Sequence, residues 1–212
     1  MKGDLHAGIC GSPRVQSPRA TRPGKVVARP QEPKPPFPYN SDEVTYHNGG
    51  IAIAGTFTRP RGPGPFPAVL LITGSGRNNR DEESGEHKPF LRLADTLTRA
   101  GYAVLRADKR GCGGTGGTLD GANYTDLAED AVTGVDFLRG RSDIDPARVG
   151  LLGHSEGGYI TPLVAARPES GIAFAILMAG PSVPGTDVVV CRERSGACPA
   201  EDRVRRDAGA AA

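Results

Sequence analysis

A chain of 212 residues suits one domain of ordinary size with tails rather than two domains, and 37% hydrophobic residues is low for a compact globule. With 30 glycines and 19 prolines, the chain approaches the level at which part of a sequence is unstructured. The net charge of +2 is uneven: residues 1–36 hold 7 basic and 2 acidic side chains, residues 37–185 hold 14 and 17, and residues 186–212 hold 5 and 5. No basic face therefore falls on predicted folded structure, which argues against a nucleic-acid partner. Cys10, Cys112, Cys191 and Cys198 form no C-x-x-C pair, so neither a disulfide framework nor a zinc site is expected. The longest apolar run, Ile172 to Gly180, is too short to span a bilayer, and the N-terminus lacks the apolar stretch of a secretory signal. The expectation is a cytoplasmic protein with no membrane partner.

Residues 1–36 contain seven prolines and little apolar periodicity, and are predicted to be a disordered arm. Glu43-Val-Thr-Tyr-His47, the turn Asn48-Gly49-Gly50, and Ile51 to Phe57 then read as an antiparallel hairpin. Ala68 to Thr73 is a short apolar run, as a strand buried on both faces requires. Pro89 suits the first position of a helix whose apolar face is Phe90, Leu93, Ala94 and Leu97, with Gly101 as its stop. Tyr102 to Ala107 reads as a second buried strand. Thr125 is the predicted cap of a helix facing inward through Ala128, Ala131, Val132, Val135 and Leu138. Arg148 to Leu152 makes a third buried strand, Gly157 to Ala166 a helix, and Ile172 to Ala179 a fourth strand. Strands alternating with helices predict an α/β domain over residues 37–185, with a mostly parallel sheet and an antiparallel hairpin at its N-terminal end. Beyond it the pattern stops, and residues 186–212 are predicted to be a disordered tail.

Between the third buried strand and the next helix stands Gly153-His154-Ser155-Glu156-Gly157, a G-x-S-x-G motif in a strand–turn–helix setting. A tight turn there lifts the serine oxygen above the sheet, and the flanking glycines remove side chains that would collide. Because the helix starts at the serine, backbone N–H groups and the positive end of the dipole face any oxyanion that develops. Further blocks stand in order: Gly55-Thr56-Phe57, Leu71-Ile-Thr-Gly-Ser-Gly76 with Arg80-Asp-Glu82, Gly85-Glu-His-Lys-Pro-Phe90, Arg106-Ala-Asp-Lys-Arg-Gly111 and Asp145 to Gly157. From about Pro38 to Gly185 the chain resembles the α/β-hydrolase superfamily, in the branch of serine esterases and serine-aminopeptidase-like hydrolases. The resemblance implies a serine hydrolase acting on carboxylic esters or related acyl bonds of a small-molecule substrate, with no metal and no cofactor. It makes Ser155 the nucleophile and the backbone N–H of Glu156 one oxyanion donor. The second donor falls on Ser75, where Ser75 follows Gly74 in place of the commoner His-Gly pair.

The sequence departs from the family in its histidines. In the family the acid and the histidine follow the serine, whereas His6, His47, His87 and His154 all precede Ser155. His154 neighbours the serine on a turn from which adjacent side chains diverge, and His87 reads as a contact at a helix start, so no triad histidine is found. Asp187 lies where some members place the acid. The resemblance further implies strands beyond the fourth buried one that this pattern lacks, which would leave residues 172–179 as an edge open to pairing. A shifted reading frame or a gene fragment would produce such a loss. The alternative is therefore a catalytically incompetent hydrolase-fold fragment or a non-enzymatic binding protein. Three weaker signals have bland readings. Gly111-Cys-Gly-Gly-Thr-Gly116 lacks the helix a dinucleotide site needs and reads as a flexible turn. Arg80-Asp-Glu-Glu83 reads as a solvated loop rather than a metal site, and Cys112 as an ordinary loop thiol.

Overall fold

The computed structural model describes residues 32–182. The predicted arm, apart from residues 32–36, and the predicted tail lie outside the described residues, as does Asp187. Strands β1 (Tyr39–Asn48) and β2 (Ile51–Pro60) form the expected hairpin, turning through Gly49 at φ +55°. Strands β3 (Phe66–Ile72), β4 (Ala103–Ala107), β5 (Ile144–His154) and β6 (Ala175–Met178) complete one sheet in the order β1-β2-β4-β3-β5-β6. β2 pairs antiparallel with β4, and the pairs β4/β3, β3/β5 and β5/β6 are parallel. The helices are α1 (Pro89–Arg99), α2 (Tyr124–Arg139) and α3 (Gly157–Ala165). None of the described helices is long and apolar enough to cross a membrane.

Alternation along the strands divides the core in two, because successive side chains point to opposite faces. Ala68, Leu70 and Ile72 of β3, Ala103 and Leu105 of β4, and Val149 and Leu151 of β5 face α2 and α3, whose Leu127, Ala131, Val135, Leu138, Ile160 and Val164 cover them. Val69, Leu71, Val104 and Leu152 face the other way, onto Phe90 and Ala94 of α1. Cover on both sides is why β3, β4 and β5 read as continuous apolar runs. β6 is shorter than expected: Ala173 N–H and Phe174 C=O still bond Val149 and Leu151 of β5, but Phe174 turns its ring onto Gly150, and the regular strand begins only at Ala175. It is the last strand in the order among the described residues, with Ile176 and Leu177 exposed.

The cap of α2 is Asn123, not Thr125. The Asn123 side-chain oxygen accepts from the N–H of Thr125 at 2.8 Å and of Asp126 at 3.1 Å, and Asp126 Oδ2 accepts from the N–H of Asn123 at 2.9 Å. This reciprocal pair needs a carboxylate three residues into the helix. Asp126 supplies it for Asn123, whereas Ala128, in the same place relative to Thr125, has nothing to reach back with.

The loops at the carboxyl end of the sheet are tied by charge. Asp108, just past β4, is 4% exposed. Its Oδ1 accepts from Arg80 N at 2.7 Å and Nε at 3.1 Å, and its Oδ2 accepts from Arg80 Nη2 at 2.7 Å and Gly114 N at 2.9 Å. Arg80 also pairs with Glu43 and donates to Thr56 Oγ1 at 3.0 Å, while Asp81 pairs with the buried Arg106. The cluster expected to be solvated is thus built into the fold, and no group able to hold a metal is found among the described residues. The Gly111–Gly116 segment wraps the Asp108 carboxylate: a β-carbon at Gly113 would sit 2.3 Å from Oδ2, and Gly116 N–H bonds Ala52 O at 2.9 Å. The turn expected to be flexible is therefore held at both ends. Cys112 within it is 2% exposed.

Two outcomes follow for stability. Asn123→Ala removes the cap and is expected to cost about 1 kcal/mol, read as a lowered urea midpoint. Burial pushes the Asp108 carboxyl up, but the hydrogen bonds from Arg80 and from the Gly114 and Arg80 amides outweigh it and hold the group below the ordinary carboxylate value. A pKa depressed by folding contributes stability above the unfolded value, about 4, and loses it as pH falls through the folded value. Asp108→Asn is therefore expected to cost about 3 kcal/mol at pH 7 by leaving Arg80 half-paired. The gap from the unaltered chain should narrow in urea titrations at pH 3.

Candidate active site

β5 ends at His154 and α3 begins at Gly157, so the chain must reverse within two residues. It does so by placing Ser155 in the left-handed region, at φ +51°, a strain that persists only where the surroundings enforce it. The flanking glycines make room for the turn. A β-carbon at Gly153 would stand 2.1 Å from Gly157 O, and one at Gly157 would stand 2.3 Å from Ile72 O. Ser155 N–H donates to Met178 O at 3.0 Å, fixing the turn to β6, and Gly158 N–H donates to Ser155 O at 2.8 Å, opening α3. Ser155 is half-buried, and its Oγ makes no hydrogen bond among the described residues.

The loop after β3 packs against this turn. A β-carbon at Gly74 would lie 3.3 Å from Ser155 Cβ and 2.9 Å from Glu82 Oε1, so a side chain there would crowd both. Gly74 N–H donates to Glu82 Oε1 at 2.5 Å, and Gly74 O accepts from Lys109 Nζ at 2.7 Å and Asn78 Nδ2 at 2.8 Å. Asn78 Nδ2 also bonds Ser75 O at 3.0 Å. Lys109, at the end of β4, forms an ion pair with Glu156 on the other side. Ser75 is exposed, and neither its N–H nor that of Glu156 has an acceptor among the described residues. The structure thus brings three groups to one place beside Gly74: a serine oxygen at a helix N-terminus, and the two peptide segments that carry these open N–H groups.

The histidines stand elsewhere. His154 Nδ1 bonds Glu82 Oε1 at 2.8 Å, His47 is exposed on β1, and His87 is exposed in a bridge with Ser84 ahead of α1. His6 and Asp187 lie outside the described residues. Sequence reasoning missed Glu82, Asn78 and Lys109. Glu82 is buried at φ +53°, with Oε2 unpartnered. The available signal was position: Lys109 and Asp108 directly follow a buried strand, and the carboxyl ends of parallel strands are where sites form in such sheets.

The family model for X-Pro dipeptidyl-peptidase (S15 family) matches residues 49–201. Esterase EstD of Thermotoga maritima is 37% identical over 140 residues, covering 65% of this chain and 32% of that protein. An uncharacterized protein of Mycobacterium tuberculosis is 31% identical over 139 residues, covering 65% of this chain and 46% of that one. The chain thus spans about a third to a half of these relatives. Among solved structures, the α/β-hydrolase GrgF from Penicillium sp. sh18 superposes with a TM-score of 0.57 at 21% identity, covering 66% of this chain and 46% of that one, a likeness of fold. A match over most of the chain, on a sheet of this order with the serine turn at the end of β5, has one reading: the chain belongs to the X-Pro dipeptidyl-peptidase (S15) family of hydrolases, in the α/β-hydrolase superfamily.

Proposed function

We propose that Ser155 is the nucleophile of a serine hydrolase that cleaves carboxylic esters, with the backbone N–H groups of Ser75 and Glu156 as its oxyanion donors. The observation that carries this reading is the strained left-handed Ser155 at the strand-to-helix turn, with Gly74 packed against it. Ser155 Oγ bonds to the acyl carbon, the alcohol departs with the serine proton, and water then releases the acid and restores Ser155. Donors pre-set on the site of developing charge are worth roughly 10²–10³ in rate each.

Esters are favoured over peptides by the leaving group. An amine must be protonated as it departs, which is the work of a positioned acid. Among the described residues, no side chain hydrogen-bonds Ser155 Oγ. An activated alkoxide leaves without that help and takes up the serine proton afterwards, which completes the alcohol.

Intact-mass analysis of the purified 212-residue chain with a fluorophosphonate, alongside hydrolysis of p-nitrophenyl acetate and of the matching anilide, tests this reading. One adduct is expected on Ser155, with ester cleavage and no anilide cleavage. Ser155→Ala should remove the adduct and return ester turnover to the background rate while the circular dichroism stays unchanged. A folded chain that gains no adduct overturns the assignment.

A further inference from the structure

We infer that Lys109 is a positioning residue that aims and polarises the Ser75 oxyanion donor from behind and anchors the residue that carries the Glu156 donor, an inference that rests on the role given to Ser155 above. The Lys109 side chain is 6% exposed, and its Nζ divides its donors between Gly74 O, at 2.7 Å, and the Glu156 carboxylate. Gly74 O and Ser75 N–H belong to one peptide unit. That unit is trans, since the cis bonds in this structure are Pro35–Pro36 and Gly64–Pro65. In a trans peptide C=O and N–H point in opposite directions. Two donors holding the carbonyl, Lys109 Nζ and Asn78 Nδ2 at 2.8 Å, therefore decide where Ser75 N–H aims. An ammonium on the carbonyl also draws charge through the peptide and makes its N–H a stronger donor, because hydrogen bonds in a chain polarise one another.

The same ammonium holds the side chain of Glu156, the residue that carries the second donor on the far side of the serine turn. Lys109 is itself held in place: its N–H bonds Asn78 O at 3.1 Å, and the preceding residue is the Asp108 gripped by Arg80. A single cation at the end of β4 thus sets the spacing between a loop after β3 and a helix start after β5. No other strand end lies between them, because β4 and β5 flank β3 in the sheet. A lysine that merely neutralised Glu156 would leave the Gly74–Ser75 peptide unaffected by its loss.

Lys109→Met, Lys109→Arg and Glu156→Gln separate these roles, read by the Ser75 amide resonance in ¹H–¹⁵N spectra and by the fluorophosphonate labelling rate of Ser155. Lys109→Met is expected to move the Ser75 amide upfield and slow labelling by about tenfold to a hundredfold, a fraction of the loss of a whole donor. Lys109→Arg should restore part of both. Glu156→Gln, which leaves the bond to Gly74, should leave the Ser75 amide in place. A Ser75 amide unmoved in folded Lys109→Met overturns the inference, as does a labelling rate equal to that of the unaltered chain. Where Lys109→Met fails to fold, a Ser75 shift in Glu156→Gln as large as that in Lys109→Arg overturns it instead. If the unaltered chain takes no label while the Ser75 amide moves as expected, the serine-hydrolase reading falls and the hold of Lys109 on the peptide stands.

Discussion

A buried strand that must pass at once into a helix lying back across the sheet cannot turn through ordinary backbone. Ser155 takes the left-handed conformation that makes this turn, and much of the neighbouring structure serves to keep it there. Residues other than glycine pay about 1–2 kcal/mol for such a conformation. The cost is met by contacts that exist only if the turn is made: Ser155 N–H on Met178 O, the opening bond of α3, and the close approach of Gly157 to Ile72 and of Gly153 to Gly157. Those approaches leave no room for a β-carbon at either glycine, so the motif is first a packing requirement. The exposure of the serine oxygen is its consequence.

Charge then fixes what packing alone leaves loose. The carboxyl ends of β3, β4 and β5 meet in one small region, and the loops leaving them carry few apolar side chains with which to hold one another. Asp108 with Arg80, Asp81 with Arg106, and Lys109 with Glu156 do this instead, each pair containing at least one group under 10% exposed. The distinction from surface pairs is one of magnitude. Arg148 and Asp145, more than a quarter exposed on each side, are screened by solvent and contribute little. A buried pair deprived of one member leaves a charge without solvent or partner, at about 3–5 kcal/mol. The loops are therefore committed to a single arrangement, which is what a site built from backbone amides requires, since an amide cannot adjust its aim by rotating a side chain.

The parts legible in the sequence were those with a local cause. Burial on both faces wrote β3, β4 and β5 as apolar runs, the 3.6 periodicity wrote α1 and the inner face of α2, and the two glycines around Ser155 wrote the turn. The less legible parts depend on partners far along the chain. Glu82 meets His154 from 72 residues away and Lys109 meets Glu156 from 47, so neither pair leaves a spacing to be read. The Arg80–Glu83 segment looks solvated in isolation because its partners, Glu43, Arg106 and Asp108, come from β1, β4 and the residue after β4. The cap of α2 was a different failure: Asn123 stands two residues before Thr125, and the deciding residue was Asp126, three residues after Asn123.

The chemistry assembled by the described residues is electrostatic before it is proton transfer. A serine hydrolase stripped of its triad base still retains roughly 10³–10⁴ over water from oxyanion stabilisation and binding. That residue of activity comes from donors held where charge will develop and from a site that need not reorganise as it does. Here the proposed donors belong to the Gly74–Ser75 peptide and the start of α3, and the groups packed about them, Asn78, Glu82 and Lys109, all come from strand ends and loops that precede Ser155 in the chain. Among the described residues, these bonds are all drawn from groups that precede α3, with Met178 O of β6 accepting from Ser155 N–H at the turn itself. Under the proposed function, the field at the reacting carbon is therefore set by residues that precede α3.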